Sequence, residues 1–359
     1  MSTQPDLGNR TDPHAQARAA RQQPLLLHSV ALFREILEHL FTHRHISTVV
    51  EVGVESGQVS SLYAELGAVA VHCVEPDPTP ELRAAIADND ALHLAQRPSP
   101  AVLAELPIAD LYVLDGDHNY ATVRAELDWI TANAPDAVVV LHDLLWPCAR
   151  RDMYYEPSNL DPADRHPATT DGPTVGHDGL TPSGFIGRGA FTWATHAGGE
   201  RNGVLTAVED ALAAAPDWHL ELIPAVFGLG IMLRPTAEHD TDLLDILQPY
   251  SRSTLLTALE NNRIALYTRV IELEHEAAAH ATNADELAST IAAKQAEIDA
   301  LTQELNTLRE RHANHTNRLT REKSLLAEEL EDQRRVTKSL QNLARAATSP
   351  LRQRARPQP

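Results

Sequence analysis

The segment Ser47-Thr-Val-Val-Glu-Val-Gly-Val-Glu-Ser-Gly57 decides the fold class of this chain. Its β-branched valines predict a buried strand of a parallel sheet. Gly53 and Gly57 then let the backbone turn sharply and approach a ligand closely. The apolar segment 59–66 predicts a helix, whose N-terminal N–H groups face whatever lies over the glycines. A strand, a glycine turn and a helix in this order predict a nucleotide-type ligand site.

The glycine spacing and two acidic residues refine this prediction. The spacing is G-x-x-x-G, which differs from the G-x-G-x-x-G of dinucleotide dehydrogenases and weakens a nicotinamide interpretation. Glu51 precedes the first glycine, and the next predicted strand, 68–75, ends in Glu75. A carboxylate at such a strand end can accept hydrogen bonds from both ribose hydroxyls. The pattern resembles motif I of class I S-adenosylmethionine-dependent methyltransferases.

This resemblance implies roles for individual cofactor-binding residues. Glu51 is expected to act on the methionine amino group of the cofactor, directly or through water. Gly53 and Gly57 are expected to permit the close approach, and Glu75 to hold the ribose. Ser99 lies where the adenine-contacting loop of the family follows the third strand.

Composition excludes several function classes. The formal net charge of −20 over 359 residues argues against a nucleic-acid backbone or an anionic membrane as the main partner. No apolar run approaches the roughly 20 residues needed to span a bilayer. The polar N-terminus lacks the apolar core of a signal peptide, so a cytoplasmic location is expected.

The order of predicted elements indicates an α/β fold. Strands alternate with helices as far as residue 143, which predicts a parallel sheet with right-handed crossovers. The last two predicted strands, 218–224 and 226–233, are joined too tightly for a crossover helix and should be antiparallel. The resemblance implies a Rossmann-like seven-stranded, mostly parallel sheet with an antiparallel last strand. The methyltransferase domain should cover 24–235, with 146–200 forming a lid and acceptor loops.

The regions outside this domain differ in composition. A helical connector is expected over 236–280 and a long α-helical coiled coil over 281–345, because apolar residues there alternate at spacings of three and four. Those residues are Leu287, Ile291, Ile298, Leu301, Leu305 and Leu308, with His312 and His315 as polar interruptions before Leu319 and Leu326. The coiled coil predicts a homo-oligomer; the alternative is a single solvated helix. A disordered leader, 1–23, and a disordered basic tail, 346–359, complete the chain.

A second polar stretch, Asp115-Gly-Asp-His-Asn-Tyr120, follows the fourth predicted strand. A simple interpretation is a turn that caps the next helix, with Asn119 as the cap. The stretch nevertheless offers more hydrogen-bonding side chains than a turn requires. Together with His142 and Asp143 at the end of the next strand, it resembles a group of small-molecule and sugar O-methyltransferases. That group includes macrolide-sugar and cephalosporin-pathway enzymes, and the resemblance covers about 25–235.

The resemblance implies a metal site and a catalytic base. In metal-dependent relatives, one divalent cation is held at the positions of Asp115, His142 and Asp143. An acid is usual where His142 stands. Because Mg²⁺ prefers oxygen ligands, His142 makes Mg²⁺ less favoured and leaves room for Mn²⁺, Fe²⁺ or no metal. His118 stands where the macrolide-sugar relatives have their catalytic base. Imidazole titrates near neutral pH, which suits it to take the proton from a sugar hydroxyl. Asp117 either orients His118 or serves as an alternative ligand.

Two functions follow from these residues. The first is an enzyme that transfers a methyl group from S-adenosylmethionine to a hydroxyl of a sugar, glycan or glycosylated natural product. The second is a non-catalytic scaffold with the methyltransferase fold, acting through its coiled coil in a polysaccharide- or metabolite-modifying assembly. Loss of Glu51, Gly53 or Glu75 would favour the scaffold, and all three are present. The expected partner is a small-molecule or glycan acceptor, with no nucleic acid.

Overall fold

The computed structural model describes residues 29–54, 57–236 and 238–352, together with Thr11, Asp12 and His14. The chain divides into two compact units, Met1–Ala277 and Ala278–Pro359. The leader expected over 1–23 lies outside the described residues, apart from the three just named.

The first unit is built from short strands and helices that follow one another along the chain. The strands are β1 Thr48–Val52, β2 Ala70–Val74, β3 Leu92–Ala95, β4 Leu111–Leu114, β5 Val138–Leu141, β6 Met153–Tyr154, β7 Ala168–Thr169, β8 Gly172–Thr174, β9 His177–Thr181, β10 Thr192–Ala194, β11 His219–Ile223 and β12 Leu229–Leu233. The α-helices are α1 Arg34–His43, α2 Gln58–Leu66, α3 Pro80–Ala87, α4 Tyr120–Asn133, α5 Val204–Ala214, α6 Glu238–Ser251 and α7 Thr254–Arg352, the last of which continues into the second unit. Short 3-10 helices are Val30–Phe33, Ala101–Glu105, Pro157–Asn159 and Pro162–Asp164.

A seven-stranded sheet forms the centre of this unit, in the order β11-β12-β5-β4-β1-β2-β3. Strands β1 to β5 pair in parallel with their neighbours. Strand β12 runs antiparallel to both β5 and β11. The prediction of a Rossmann-like, mostly parallel sheet with an antiparallel last strand is therefore confirmed.

Both faces of the sheet are buried, which explains its continuous apolar strands. Val50 and Val52 face a core shared with α4 and α5, whereas Val49 faces a core shared with α1, α2, α3 and α6. Helix α4 presents Val123, Leu127 and Ile130 to the first core, the stripe expected of an amphipathic helix. The polar residues that follow the strands are consequently confined to the sheet edges.

The insert 146–200 contains more regular structure than the loops expected from its composition. Strands β6, β10 and β7 form a three-stranded sheet, and β8 pairs with β9. A cluster of aromatic side chains packs together in this segment, although its high Pro and Gly content does not predict a core. The cluster is centred on Phe185 and contains Trp146, Phe191, Trp193, Phe227 and Tyr267. The segment is therefore not irregular throughout, and its role as a lid with acceptor loops stays a prediction.

Asp152 anchors this insert to the rest of the unit. Its side chain is completely buried. One carboxylate oxygen accepts hydrogen bonds from the backbone N–H groups of Tyr120 (2.8 Å) and Gly203 (2.7 Å). The other accepts from the hydroxyl of Tyr154 (2.8 Å). The first residues of the insert are thus tied directly to the N-termini of α4 and α5.

The second unit consists of the continuing helix α7. The helix runs through the predicted coiled-coil segment and ends at Arg352, so it also includes residues 346–352 of the expected tail. The remaining tail residues, 353–359, lie outside the described part of the chain. The apolar residues of the predicted seam are exposed in the single chain, from 47% at Leu305 to 61% at Leu287. In the described residues, no helix combines the length and apolar character needed to cross a membrane.

Gly53 marks the place where the ends of β1 and β4 meet. Its φ is +87°, and a Cβ atom there would overlap the carbonyl oxygen of Asp115 and the Cα of Gly116. The backbone N–H of Gly53 donates to the carbonyl of Val74 at 3.1 Å. Glycine is therefore required at this position by strand-to-strand packing, in addition to the ligand approach inferred from the sequence.

We expect Gly53→Ala to lower stability by roughly 1–3 kcal/mol, the scale of overpacking in a core. Gly67→Ala is the matched control, because Gly67 also has a positive φ (+120°) but has no atom within 4 Å of its virtual Cβ among the described residues. Denaturant unfolding of both variants measures the difference. Equal losses of stability would show that backbone strain, and not the contact with Asp115, dominates.

Candidate active site

Glu51 lies near the carboxyl end of β1 and is almost fully buried. The hydroxyl of Ser60, in the first turns of α2, donates a hydrogen bond to its carboxyl group. Burial is the main cause that raises the pKa of Glu51 to about 8; the charge of Asp115 also raises the pKa, and hydrogen bonds from Ser60 and Tyr63 lower it. In the chain alone, Glu51 is therefore mostly protonated at pH 7.

Glu75 follows β2 and connects two turns. One of its oxygens accepts a hydrogen bond from the backbone N–H of Val54 (3.3 Å), and the other accepts from that of Asp77 (3.0 Å). Gly57 adopts a left-handed conformation (φ +75°) and begins α2. Glu55 and Ser56, between these residues, lie outside the described residues. Glu51, Gly53, Gly57 and Glu75 thus lie together at the carboxyl ends of β1 and β2.

Ser99 lies in the turn after β3, and its hydroxyl is buried next to Glu126 of α4. Burial raises the pKa of Glu126 to about 8. Ser99 therefore faces a neutral carboxyl group on α4.

The expected metal ligands converge at the neighbouring strand ends. Leu114 of β4 pairs with Leu141 of β5, so the residues after these strands lie side by side. The Nδ1 of His142 lies 3.1 Å from Oδ1 of Asp115, and because a carboxylate can only accept, Nδ1 carries the proton. Ligand atoms of Asp115, His142 and Asp143 all lie within 4.8 Å of one another. Asp143 reaches this position through a left-handed backbone (φ +60°).

His118 occupies the space between the two carboxylates. It is 6% exposed, and its Nε2 lies 2.8 Å from Oδ2 of Asp143 and 3.4 Å from Oδ1 of Asp115. Burial lowers the pKa of His118, but the two carboxylates outweigh it and raise the pKa to about 10. The same balance raises the pKa of His142 to about 9. For Asp115, burial raises the pKa, but the two histidines outweigh this effect and the pKa falls below its ordinary value.

This cluster is therefore ionised at neutral pH, with two imidazolium rings beside carboxylates. An imidazolium cannot accept a proton. His118 was predicted to be the base because imidazole ordinarily titrates near neutral pH, whereas here its pKa is raised well above that range.

Two other side chains of the polar loop, those of Asn119 and Asp117, have different surroundings. The side chain of Asn119 accepts a hydrogen bond from the backbone N–H of Thr122 (2.9 Å) and caps α4, as the turn interpretation expects. Asp117 accepts a long hydrogen bond from the Thr122 hydroxyl (3.4 Å) through Oδ2. Its Oδ1 is buried and has no hydrogen-bond partner among the residues described, and burial raises the pKa of Asp117.

Two aromatic rings complete the site and were not identified from the sequence. The half-exposed ring of Tyr155 lies 6.1 Å from that of His118, centre to centre, and its edge meets Phe191 at 5.9 Å. Burial and then the charges of Asp143 and Asp115 raise the pKa of the Tyr155 hydroxyl. Phe33 packs edge-on against His142 at 6.2 Å. Neither residue belongs to a local motif, so only the tertiary structure brings them to the site.

We expect Glu51→Gln to stabilise the chain at pH 7. The unfolded carboxyl ionises near pH 4.5, whereas the folded one holds its proton up to about pH 8. Ionisation therefore favours unfolding between these values, by about 3 kcal/mol at pH 7 if each pKa unit contributes about 1.4 kcal/mol.

Thermal unfolding at pH 4.5 and pH 7 measures this effect. The gain should be present at pH 7 and absent at pH 4.5, and the control Glu81→Gln, on the exposed surface of α3, should change little at either pH. A gain of equal size at both pH values would contradict the buried neutral state.

The residues of this site lie in a segment that is similar to known methyltransferases. Residues 50–144 match the family model of a methyltransferase domain. No curated protein sequence matches the chain. Among solved structures, a Geobacter sulfurreducens methyltransferase is 16% identical, with a TM-score of 0.36, covering 64% of this chain and 92% of its own. The SAH-bound Podospora anserina methyltransferase PaMTH1 is 14% identical, with a TM-score of 0.35, covering 61% and 86%. The segment that matches a methyltransferase domain thus contains Glu51, Glu75, Ser99 and the whole Asp115–Asp143 cluster.

Proposed function

We propose that this chain transfers a methyl group from S-adenosylmethionine to a hydroxyl of a sugar, a glycan or a glycosylated natural product. The methyltransferase match over 50–144 carries the proposal, because it spans both the glycine turn and the acidic cluster. The strand order supports it. In open α/β sheets, ligands bind at the carboxyl ends of the strands where the strand order reverses, which here is between β1 and β4.

The cofactor would bind at the ends of β1 and β2. A carboxylate offers about four acceptor positions, and Glu75 uses one on each oxygen for Val54 and Asp77. The remaining positions can accept the two ribose hydroxyls. Glu51 would receive the methionine amino group, and that cation would favour the ionised form of this otherwise neutral acid.

The chemical step needs a positioned hydroxyl and a proton acceptor. The S–CH₃ bond of the sulfonium breaks, an O–CH₃ bond forms, and the hydroxyl proton leaves to a base. Because the methyl group is already activated, catalysis is mostly positioning. Of the two candidates, His118 already holds a proton at neutral pH, whereas Asp117 has a buried oxygen without a partner in the described structure. We therefore place Asp117 first as the proton acceptor and His118 second.

A divalent cation would fit beside this position. Asp115, His142 and Asp143 bring two carboxylates and an imidazole within 4.8 Å of one another. A cation bound there supplies Lewis acidity that holds the acceptor hydroxyl and lowers its pKa. Without a cation, the hydrogen bond from His142 to Asp115 already holds these two side chains together, and a cation bound through the same nitrogen would displace its proton.

The acceptor would enter from the side of the insert. Tyr155 is half exposed, and its ring lies beside those of both His118 and Phe191. Pockets for small organic ligands combine such aromatic surfaces with a few polar groups. The carboxylates and imidazolium rings of the cluster balance one another's charge, so the site offers an anionic acceptor no net attraction, which supports a neutral, hydroxyl-rich ring.

We expect calorimetry to detect binding of S-adenosylmethionine or its demethylated product to the full-length protein. Glu75→Ala should weaken binding by roughly 1–3 kcal/mol, the scale of lost hydrogen bonds to a charged group. Asp77→Ala is the matched control, because its exposed side chain lies in the same turn. Absence of both heat and a thermal shift with either compound would refute the cofactor assignment.

The acceptor itself can be sought by mass spectrometry. Glycan and secondary-metabolite fractions from cells with and without the protein should differ by the mass of one methylene group. A methyl ester or an N-methylamine in place of a methyl ether would contradict the hydroxyl class.

We further propose that α7 pairs with a second copy of itself through the apolar seam. The seam residues are exposed in the single chain, and the same alternation of three and four continues to Val336, Leu340 and Leu343, which are also exposed. Such a stripe buries itself only against another helix. The same observation supports the scaffold as a second candidate function, in which assembly is retained without methyl transfer.

We expect the double variant Leu301→Glu, Leu305→Glu to lower the mass of the full-length oligomer in solution. The control Gln303→Glu, Asn306→Glu adds the same charge on the opposite side of the helix and should leave the mass unchanged. Light scattering measures both variants. A wild-type chain that is already monomeric, or a seam variant with unchanged mass, would contradict the pairing.

A further inference from the structure

The first turns of helix α7 carry a row of exposed apolar residues that belong to the first unit. The row, which we name the proximal seam, consists of Leu259, Leu266, Val270 and Leu273. Each of these residues is between 36% and 61% exposed. Their exposure is comparable with that of the apolar residues from Leu287 onward, which we name the distal seam. Folding of the single chain therefore leaves both seams in water.

The opposite face of the same turns is packed against the first unit. Ile264 is buried, and the ring of Tyr267 lies 6.0 Å from that of Phe185 in the insert. The carboxylate of Glu260 accepts a hydrogen bond from the backbone N–H of Phe227 at 2.8 Å, which fixes the helix to the turn between β11 and β12. The turns that support the insert thus have one packed face and one exposed apolar face.

The proximal and distal seams belong to one heptad repeat, with positions a to g. Leucines at its d positions are separated by seven residues or a multiple of seven: Leu259, Leu266, Leu273, Leu287, Leu301 and Leu308. Apolar residues at its a positions are Val270, Ile291, Ile298 and Leu305. Between the seams the same positions hold Ala277, His280 and Ala284, and the charged exceptions are Arg263 and Lys294. Because the register is kept without an inserted or deleted residue, both seams can face the same partner helix.

Side-chain types and charges favour a second copy of this helix, parallel and in register, as that partner. β-Branched residues at a with Leu at d favour two parallel strands, and the a positions include Val270, Ile291 and Ile298. In such a pair, a g residue of one helix faces the e residue five positions later in the other. Opposite charges occupy these positions at Arg269 and Glu274 and at Glu304 and Arg309, whereas Arg318 and Lys323 have like charge.

We propose that a second copy of this chain docks on the proximal seam, so that parallel pairing of α7 begins at Leu259, inside the first unit. The inference extends the pairing proposed above for the distal seam and rests on it, but it requires neither cofactor nor acceptor. The first units of the two copies would lie at the same end of the dimer. In each copy, the turns that contact Phe185 and Phe227 would be held between the insert and the helix of the second copy. Assembly would therefore support the insert directly.

The test places one cysteine at a d position of the full-length protein and oxidises it with diamide. In a parallel, in-register pair, facing d positions bring two cysteines close enough to form a disulfide. The native Cys73 and Cys148 are buried, so they should contribute little background. Leu266→Cys should give a covalent dimer on a denaturing gel, as should Leu301→Cys in the distal seam. Ala265→Cys is the matched control, because the residue is exposed on the same turn outside the seam and should stay monomeric.

Sedimentation equilibrium gives a second measurement that needs no oxidant. The double variant Leu259→Glu, Leu266→Glu should raise the dissociation constant of the full-length dimer at least roughly 10-fold, because each leucine would lose its buried apolar contact. The control Ala258→Glu, Ala265→Glu adds the same charges at the same spacing on exposed residues outside the seam and should leave the constant unchanged. Equal constants for the two double variants would overturn the inference.

The cross-linking results separate this inference from the proposals on which it rests. A covalent dimer through Leu301→Cys without one through Leu266→Cys would overturn it and leave the distal pairing intact, because the helices would then separate before the first unit. Absence of both would overturn the distal pairing as well. The cofactor titration described above decides methyl transfer independently of either result.

Discussion

The backbone contact between Gly53 and Asp115 is the constraint on which the site depends. It holds the ends of β1 and β4 together without any side chain between them, because a Cβ at position 53 would overlap the Asp115 carbonyl. The glycine turn therefore lies immediately beside the acidic cluster. In the proposed function, the cofactor and the acceptor would bind on either side of this contact.

Burial and charge pairing have opposite net effects on the acids of the glycine turn and of the Asp115–Asp143 cluster, the two halves of the site. Glu51 is buried without a cationic partner, so desolvation prevails and the acid is neutral. Asp115 is partly buried between two histidines, so attraction prevails and the acid is ionised. A buried charge without a partner would cost several kcal/mol. The first half of the site is thus suited to receive a cationic group, and the second half already contains balanced charge.

The sequence predicted the parts of the fold that depend on local pattern. The β-branched runs located the central strands to within about two residues, because a strand buried on both faces has to be apolar throughout. The convergence of Asp115, His142 and Asp143 also followed, since the carboxyl ends of adjacent parallel strands share one edge.

Tertiary contacts could not be predicted in this way. The state of His118 depends on two carboxylates, one of them 25 residues away, so its spacing from Asp115 gave no indication of its pKa. Ser60 belongs to a helix whose register against Glu51 is fixed only by packing. The small sheets of the insert are held by aromatic residues from distant segments, which no periodicity reveals. Gly53 was singled out correctly, but its contact with the neighbouring strand is a property of the assembled sheet.

The clamp formed by Asp152 has a mechanical consequence for the insert. Tyr154 is held twice, since its hydroxyl donates to Asp152 and accepts from the backbone N–H of His166. Its neighbour Tyr155 therefore projects from an immobilised segment, and a hinge movement of the backbone there would break both bonds. The ring of Tyr155 beside His118 can therefore change position mainly by rotation about its own side-chain bonds, while the backbone that carries it stays fixed.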